Sequence, residues 1–166
     1  MPELVAGDLQ EITIHTPEGQ DWLSSWHPPP TAPSGVPHGA AGICVTGSGE
    51  IVLISSDGVH WDVPAGRTEG DETFQETLRR EMLEEACATV VDARLLGFHQ
   101  GVCATGPETG LVLVRSWWRA EVVLAAWAPE FEITHRRVVP PTEVLSHLPS
   151  AYLPFSRRAL REAGVL

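Results

Sequence analysis

The chain has 166 residues, 43% of them hydrophobic and 20% charged. That is the composition of one globular domain with a buried core, and it excludes wholesale disorder. The formal net charge is −11 and all 11 strong cations are arginines. A body this acidic excludes duplex DNA or RNA as a bulk partner, and the lack of lysine excludes Schiff-base chemistry and a P-loop lysine.

The start, Met1 to Asp8, has neither a basic region nor an apolar stretch, so no signal peptide is expected. The longest apolar run, Val122 to Ala128, is too short to span a bilayer. A soluble, cytoplasmic protein with no membrane partner is expected. Residues 9–15 alternate and predict a strand. Thr16-Pro17-Glu18 then reads as an N-cap, a proline at the first helical position and an acid in the first turn. The expectation is a short helix to about Trp26 that buries Trp22, Leu23 and Trp26. The proline-rich run from His27 to Pro37 reads as a semi-rigid linker. Residues 1–37 therefore read as an appendage that packs on its own domain or on a second subunit, giving a homodimer, and residues 38–166 as the main domain.

Strands are expected at Ala40 to Thr46 and Glu50 to Ser55, joined at Gly47-Ser48-Gly49. Asp57-Gly58 marks another turn before Trp61. Further strands are expected over Ala88 to Val102, Gly110 to Ala126 and Glu130 to Val139, with closing helices at Pro141 to Leu148 and Phe155 to Ala163. This order indicates an α/β (α+β) sandwich. The cysteines Cys44, Cys87 and Cys103 lack metal-type spacing and read as small buried hydrophobes.

Between these strands lies the informative segment, Gly66 to Ala88. It contains Gly66, Glu72, Arg80-Glu81, Met82, and Glu84-Glu85. In a helix starting near Thr73, Phe74, Leu78 and Met82 form a core-facing ridge. Glu81, Glu84 and Glu85 share an arc beside it, with Glu85 at the edge of the apolar side. Carboxylates about 5 Å apart repel by about 3 kcal/mol per pair at an effective dielectric near 20, and burial adds to that unless protons or a cation compensate. The bland alternative is a solvated acidic face with surface pairs such as Glu76 with Arg80, each worth a few tenths of a kcal/mol.

The whole spacing resembles the signature box of the Nudix hydrolases, which cleave nucleoside diphosphates linked to another moiety. Six fixed residues at roughly one in fifteen each coincide by chance about 10⁻⁷ times per window. The resemblance implies the Nudix αβα sandwich with a mixed sheet, and a divalent cation, Mg²⁺ with Mn²⁺ as the alternative. It implies Glu81, Glu84 and Glu85 as metal ligands, with Gly66 offering its carbonyl. Arg80 would orient the carboxylates and Glu72 would brace the loop. The reaction implied is attack of water on a diphosphate phosphorus of a small nucleotide-type substrate.

The box departs from the family pattern at its end, where Cys87-Ala88 replaces Gly and an aliphatic residue. Cysteine makes a poor left-handed cap, so a differently shaped helix exit is expected. Downstream, Glu132 stands where an acid is common, but His135 replaces a second acid. The general base is thus open among a box glutamate, Glu132 and His135. On the strand Arg115-Ser-Trp117-Trp-Arg119, alternation puts Arg115, Trp117 and Arg119 on one face. Arg67, Arg115 and Trp117 are therefore candidate substrate contacts, against a reading of core tryptophan with surface arginines. No subfamily motif appears cleanly: Pro107 is late for an ADP-ribose hydrolase, and Tyr152 is the only tyrosine. Two other classes share the fold: nucleotide-binding sensors, which typically lose box carboxylates, and isoprenoid diphosphate isomerases, for which Cys44 is the available thiol.

Overall fold

A computed structural model describes residues 11–166. Eight strands form one mixed sheet. They are β1 (Ile12–His15), β2 (Asp21–His27), β3 (Val36–Val45), β4 (Ile51–Ser55), β5 (Ala65–Arg67), β6 (Ala88–Cys103), β7 (Val112–Leu124) and β8 (His135–Val139). Their order is β1-β2-β6-β7-β3-β4-β8, with β5 paired to β3. Only the β3–β7 pair is parallel. Helix α1 (Phe74–Ala86) lies on one face; α2 (Val144–His147) and α3 (Leu153–Glu162) lie on the other. This is the expected αβα sandwich.

The strand pleat explains the two cores. All five residues of β4 are buried because helices cover both faces of this inner strand. Val52 and Ile54 join Cys44, Leu78 and Met82 beneath α1. Ile51 and Leu53 point the other way, to Ile43, Leu96, Phe155 and Leu160 beneath α3. Among the described residues no helix is long and apolar enough to cross a membrane.

Two expectations are corrected. The helix expected from Thr16 to about Trp26 is a hairpin turn followed by β2. A threonine before proline also opens a tight turn: Gly19 N–H donates to Thr16 O at 3.0 Å, and Gly19 has φ 84°. Residues 21–27 then pair with β6 in register Trp22↔Cys103 to His27↔Phe98, so long-range pairing decided their conformation. The hairpin thus joins the chain's own sheet; residues 9 and 10 of the first expected strand lie outside the described residues. Next, Glu130 to Thr134 are irregular, and the strand starts only at His135. The surface pair of the bland alternative does not form: Glu76 does not bond Arg80. Its carboxylate accepts from Thr73 N–H at 3.1 Å while Thr73 Oγ1 accepts from Glu76 N–H at 3.2 Å, a capping box that starts α1.

Candidate active site

The site begins where β5 crosses the start of β3. Gly66 pairs with Ala40, and a side chain at Gly66 would overlap the Glu81 carboxylate. Glycine is needed because the strand backbone and the helix carboxylate occupy adjoining space. The loop from Thr68 then enters α1, whose apolar ridge of Leu78 and Met82 is fully buried. That ridge fixes the rotation of the helix, and so where its carboxylates stand.

Arg80 organises the loop and helix. Its Nε and Nη2 donate to the two oxygens of Glu72 at 2.8 and 2.9 Å. Nη1 donates to Glu81 Oε1 at 2.8 Å and to Glu84 Oε2 at 3.2 Å, and Nη2 also donates to the Arg67 carbonyl at 2.8 Å. One planar guanidinium thereby ties the loop, two helix carboxylates and β5 together. Glu72 also accepts from Glu69 N–H at 2.8 Å and from Thr77 Oγ1 at 3.2 Å. The hydrogen bond from Arg80 is the largest influence pulling the Glu72 carboxyl down to about 2.

Glu85 has a different environment. It is only 7% exposed, and burial pushes its carboxyl up to about 8. The Glu81 charge, a hydrogen bond shared with Glu81 and the nearby Glu132 charge push the same way; an Ala65 N–H opposes them. Glu81, Glu84, Glu85 and Glu132 are thus brought into one neighbourhood, with Gly66 against Glu81. Among the described residues no three His, Cys, Asp or Glu side chains already stand as a metal cage; Arg80 engages Glu81 and Glu84 instead.

Beside β5, on the α3 face of the sheet, opens a cleft of about 680 Å³ lined by Arg67, Arg115 and Trp117 among others. Arg115 has no hydrogen bond or ion pair among the described residues. Burial pulls its pKa down against the nearby Asp62 and Glu85 charges. Asp62 and His99 also line the cleft. Burial raises the Asp62 carboxyl, whose Oδ1 accepts from Val63 N–H at 2.7 Å. Burial, aided by Arg115, lowers His99 to about 3, and its ring stacks on Phe155 with centroids 4.0 Å apart. Trp117 is 6% exposed and tilted against Trp26, so it floors the cleft and offers it little surface. Arg119, on the same strand face, donates instead to Ala163 O beyond the end of α3 at 2.7 Å.

The remaining sequence candidates fall outside this neighbourhood. His135 hydrogen-bonds Thr134 Oγ1 at 2.8 Å, meets Trp61 edge-on and fills the space above Gly58; those contacts are packing, with no box carboxylate among them. Cys44 is fully buried, donates to Met82 Sδ at 3.1 Å, and burial holds its thiol up at about 12, which removes it as a catalytic thiol. The helix exit is not reshaped by Cys87. This residue adopts the left-handed conformation itself, φ 51° and ψ 40°, and its N–H donates to Leu83 O at 3.1 Å. Asp62 and His99 were not singled out in the sequence, and the hairpin residues of the cleft from Thr16 onward were read as a helix. For the hairpin the missed signal is the period-two pattern Trp22, Ser24, Trp26.

A sandwich of this order, with a carboxylate-rich helix entered through a Gly-Arg strand, defines a Nudix-type fold. The NUDIX domain model matches residues 36–162, and the chain belongs to the Nudix family. Solved structures agree in fold. The Bacillus subtilis pyrophosphohydrolase BsRppH superposes with a TM-score of 0.64 at 22% identity, over 92% of this chain and 98% of that one. The MutT protein of Methanosarcina mazei Go1 gives 0.57 at 23%, over 79% and 98%. The NUDIX domain of Shewanella oneidensis NrtR, solved with ADP ribose, gives 0.58 at 14%, over 78% and 88%. No curated protein matches the sequence.

Proposed function

We propose that this protein is a Mg²⁺-dependent hydrolase, with Mn²⁺ as the alternative ion, that cleaves the pyrophosphate linkage of a nucleoside diphosphate joined to another moiety. The observation that carries the reading is the buried Glu85, pressed against Glu81 with Glu132 close by. Such a cluster is costly without a proton or a cation. Carboxylates with a strand carbonyl are a hard-oxygen donor set, which fits Mg²⁺. Glu81, Glu84 and Glu85, with the Gly66 carbonyl, are the residues that would hold it. When bound, the ion supplies charge neutralisation for phosphate oxygens and a more acidic water.

The other roles belong to the chain. Arg80 holds Glu81 and Glu84 in place from one side and the loop from the other. Arg115 and Arg67 supply cationic groups to the substrate phosphates, over the floor made by Trp117. Glu132 is the base we favour: it stands close enough to raise Glu85, yet among the described residues it carries no hydrogen bond, so its oxygens are available to a proton. The site thus resembles other phosphoryl-transfer centres in working by positioning and electrostatics.

The test is phosphate release from a panel of nucleoside diphosphate derivatives, with Mg²⁺ and with EDTA. Mg²⁺-dependent cleavage of at least one member is expected; tight binding without cleavage would instead support a sensor. The reading places the reaction in the cytoplasm. The hairpin pairs with β6 within the chain; the homodimer expected from the sequence is a separate question, which sedimentation at micromolar concentration tests.

A further inference from the structure

One wall of the cleft lies outside the family match. The match covers residues 36–162, whereas β1, β2 and their turn contribute Thr16, Glu18, Gln20 and Trp22 to the cleft lining. This wall is fixed to the rest of the fold. Asp21 N–H donates to Thr105 Oγ1 at 3.0 Å and Ala104 N–H donates to Asp21 O at 2.8 Å, so the hairpin is tied to the β6–β7 turn.

Trp22 stands apart from the other five tryptophans. Trp26 and Trp117 tilt against each other, Trp61 and Trp127 each carry an arginine over the ring, and Trp118 donates to Ser116 Oγ. Trp22 is half-buried and has no ring contact or hydrogen bond among the described residues. Its six-membered ring rests on bare backbone: a side chain at Gly101 would begin 3.3 Å from Trp22 Cε3. Gly101 therefore makes room for the indole at the cleft wall. The cleft is also polarised. Arg67 and Arg115 line its β5–β7 side with the half-buried Asp62 beside Arg115, while Glu18, in the hairpin turn, and Glu108, in the β6–β7 turn, supply exposed carboxylates. Carboxylates repel a phosphate and accept N–H donors, so the two regions call for different parts of one ligand.

We propose that the hairpin is the nucleobase subsite. Trp22 stacks the ring, Glu18 and Glu108 accept its N–H groups, and the diphosphate extends toward Arg115 and Arg67. The placement of the diphosphate rests on the hydrolase reading; the base platform does not. A cleft of about 680 Å³ is within the range that takes a nucleotide-sized ligand.

Titration calorimetry of the full chain with ADP, GDP, CDP and UDP, and with inorganic pyrophosphate, tests this. At least one nucleotide should bind, and Trp22→Ala should weaken it by about 5- to 150-fold, the loss of one stacked base. Trp22→Phe should restore most of the affinity, and neither variant should change pyrophosphate binding. No binding of any nucleotide, an unchanged nucleotide Kd in Trp22→Ala, or an equal loss for pyrophosphate overturns the subsite. If Trp22→Ala does not fold, the exposed pair Glu18→Gln with Glu108→Gln decides: weakened nucleotide binding with intact pyrophosphate binding supports the subsite, and unchanged nucleotide binding overturns it. Trp22-dependent nucleotide binding without Mg²⁺-dependent cleavage would sustain the subsite and sink the hydrolase reading. Cleavage with a KM indifferent to Trp22 would do the reverse.

Discussion

Arg80 and Arg115 are two arginines of one site with opposite circumstances. Arg80 makes five hydrogen bonds, to Glu72, Glu81, Glu84 and the Arg67 carbonyl, and these carboxylates drive its pKa upward despite partial burial. Arg115 makes none among the described residues, and burial drives its pKa downward. On the proposed function, the difference separates scaffold from receptor. A satisfied guanidinium holds geometry, whereas an unsatisfied one at a cleft is compensated when an anion arrives.

The largest effect expected from breaking this contrast is at Arg80. Arg80→Ala frees Glu72, Glu81 and Glu84 together, so kcat should fall about 100-fold or more and stability by about 2 kcal/mol. Arg80→Lys should rescue little, because one ammonium cannot reproduce the planar fork. Paired kinetics and urea unfolding check both. Arg115→Ala should behave in the opposite sense. KM should rise about 10-fold or more while stability is unchanged or about 1 kcal/mol higher, since a desolvated and unpaired charge is removed. A stability loss at Arg115 matching that at Arg80 would break the distinction.

The cleft floor gives a pH-dependent prediction. His99 has a folded pKa of about 3 against 6.5 for a free imidazole, through burial and then Arg115. The folded state therefore resists a proton that the unfolded chain accepts. The sign is that stability is full above pH 6.5 and falls as pH drops toward 3, by about 1.4 kcal/mol per pH unit for one proton. His38, lowered to about 4 by burial and by Arg115, adds to the same window. His99→Phe, which keeps a ring against Phe155, should flatten the unfolding curve by about one proton between pH 6 and pH 4.

The smallest effect is at the helix exit. Cys87 is the one non-glycine residue at positive φ among the described residues. Cys87→Gly removes left-handed strain and adds chain entropy to the unfolded state, for a net gain of about 0.5 kcal/mol measured by thermal unfolding. No change in kcat is expected.

How much of this was legible in the sequence follows the range of the forces. The box could be read because Gly66, Glu72 and Arg80 to Glu85 interact over a few turns of one helix and its loop, where spacing is geometry. The box ending was read less well: Cys87 suggested a different exit, but the backbone adopts the left-handed cap and accepts the strain. The hairpin was misread because Thr16-Pro17-Glu18 opens a helix or a turn equally well. What decided between them is pairing with β6, about eighty positions away in the chain. The cleft could not be read at all in outline, since Asp62, His99 and Arg115 meet only when the strands are laid side by side. Arg115 was found by strand alternation; its lack of partners is a property of the fold.

The central claim is that the Glu81–Glu85 pair serves phosphoanhydride hydrolysis and not packing. The most direct measurement is product analysis in ¹⁸O-labelled water, with Mg²⁺, comparing the wild-type chain with Glu85→Gln on a nucleoside diphosphate derivative that the panel shows to be cleaved. The account predicts one ¹⁸O in a product phosphate, turnover lowered by at least about 100-fold in Glu85→Gln, and an unfolding temperature no lower than wild type, because a neutral amide replaces a buried carboxyl. Full turnover in Glu85→Gln, or cleavage that leaves the label out of every phosphate, would contradict it.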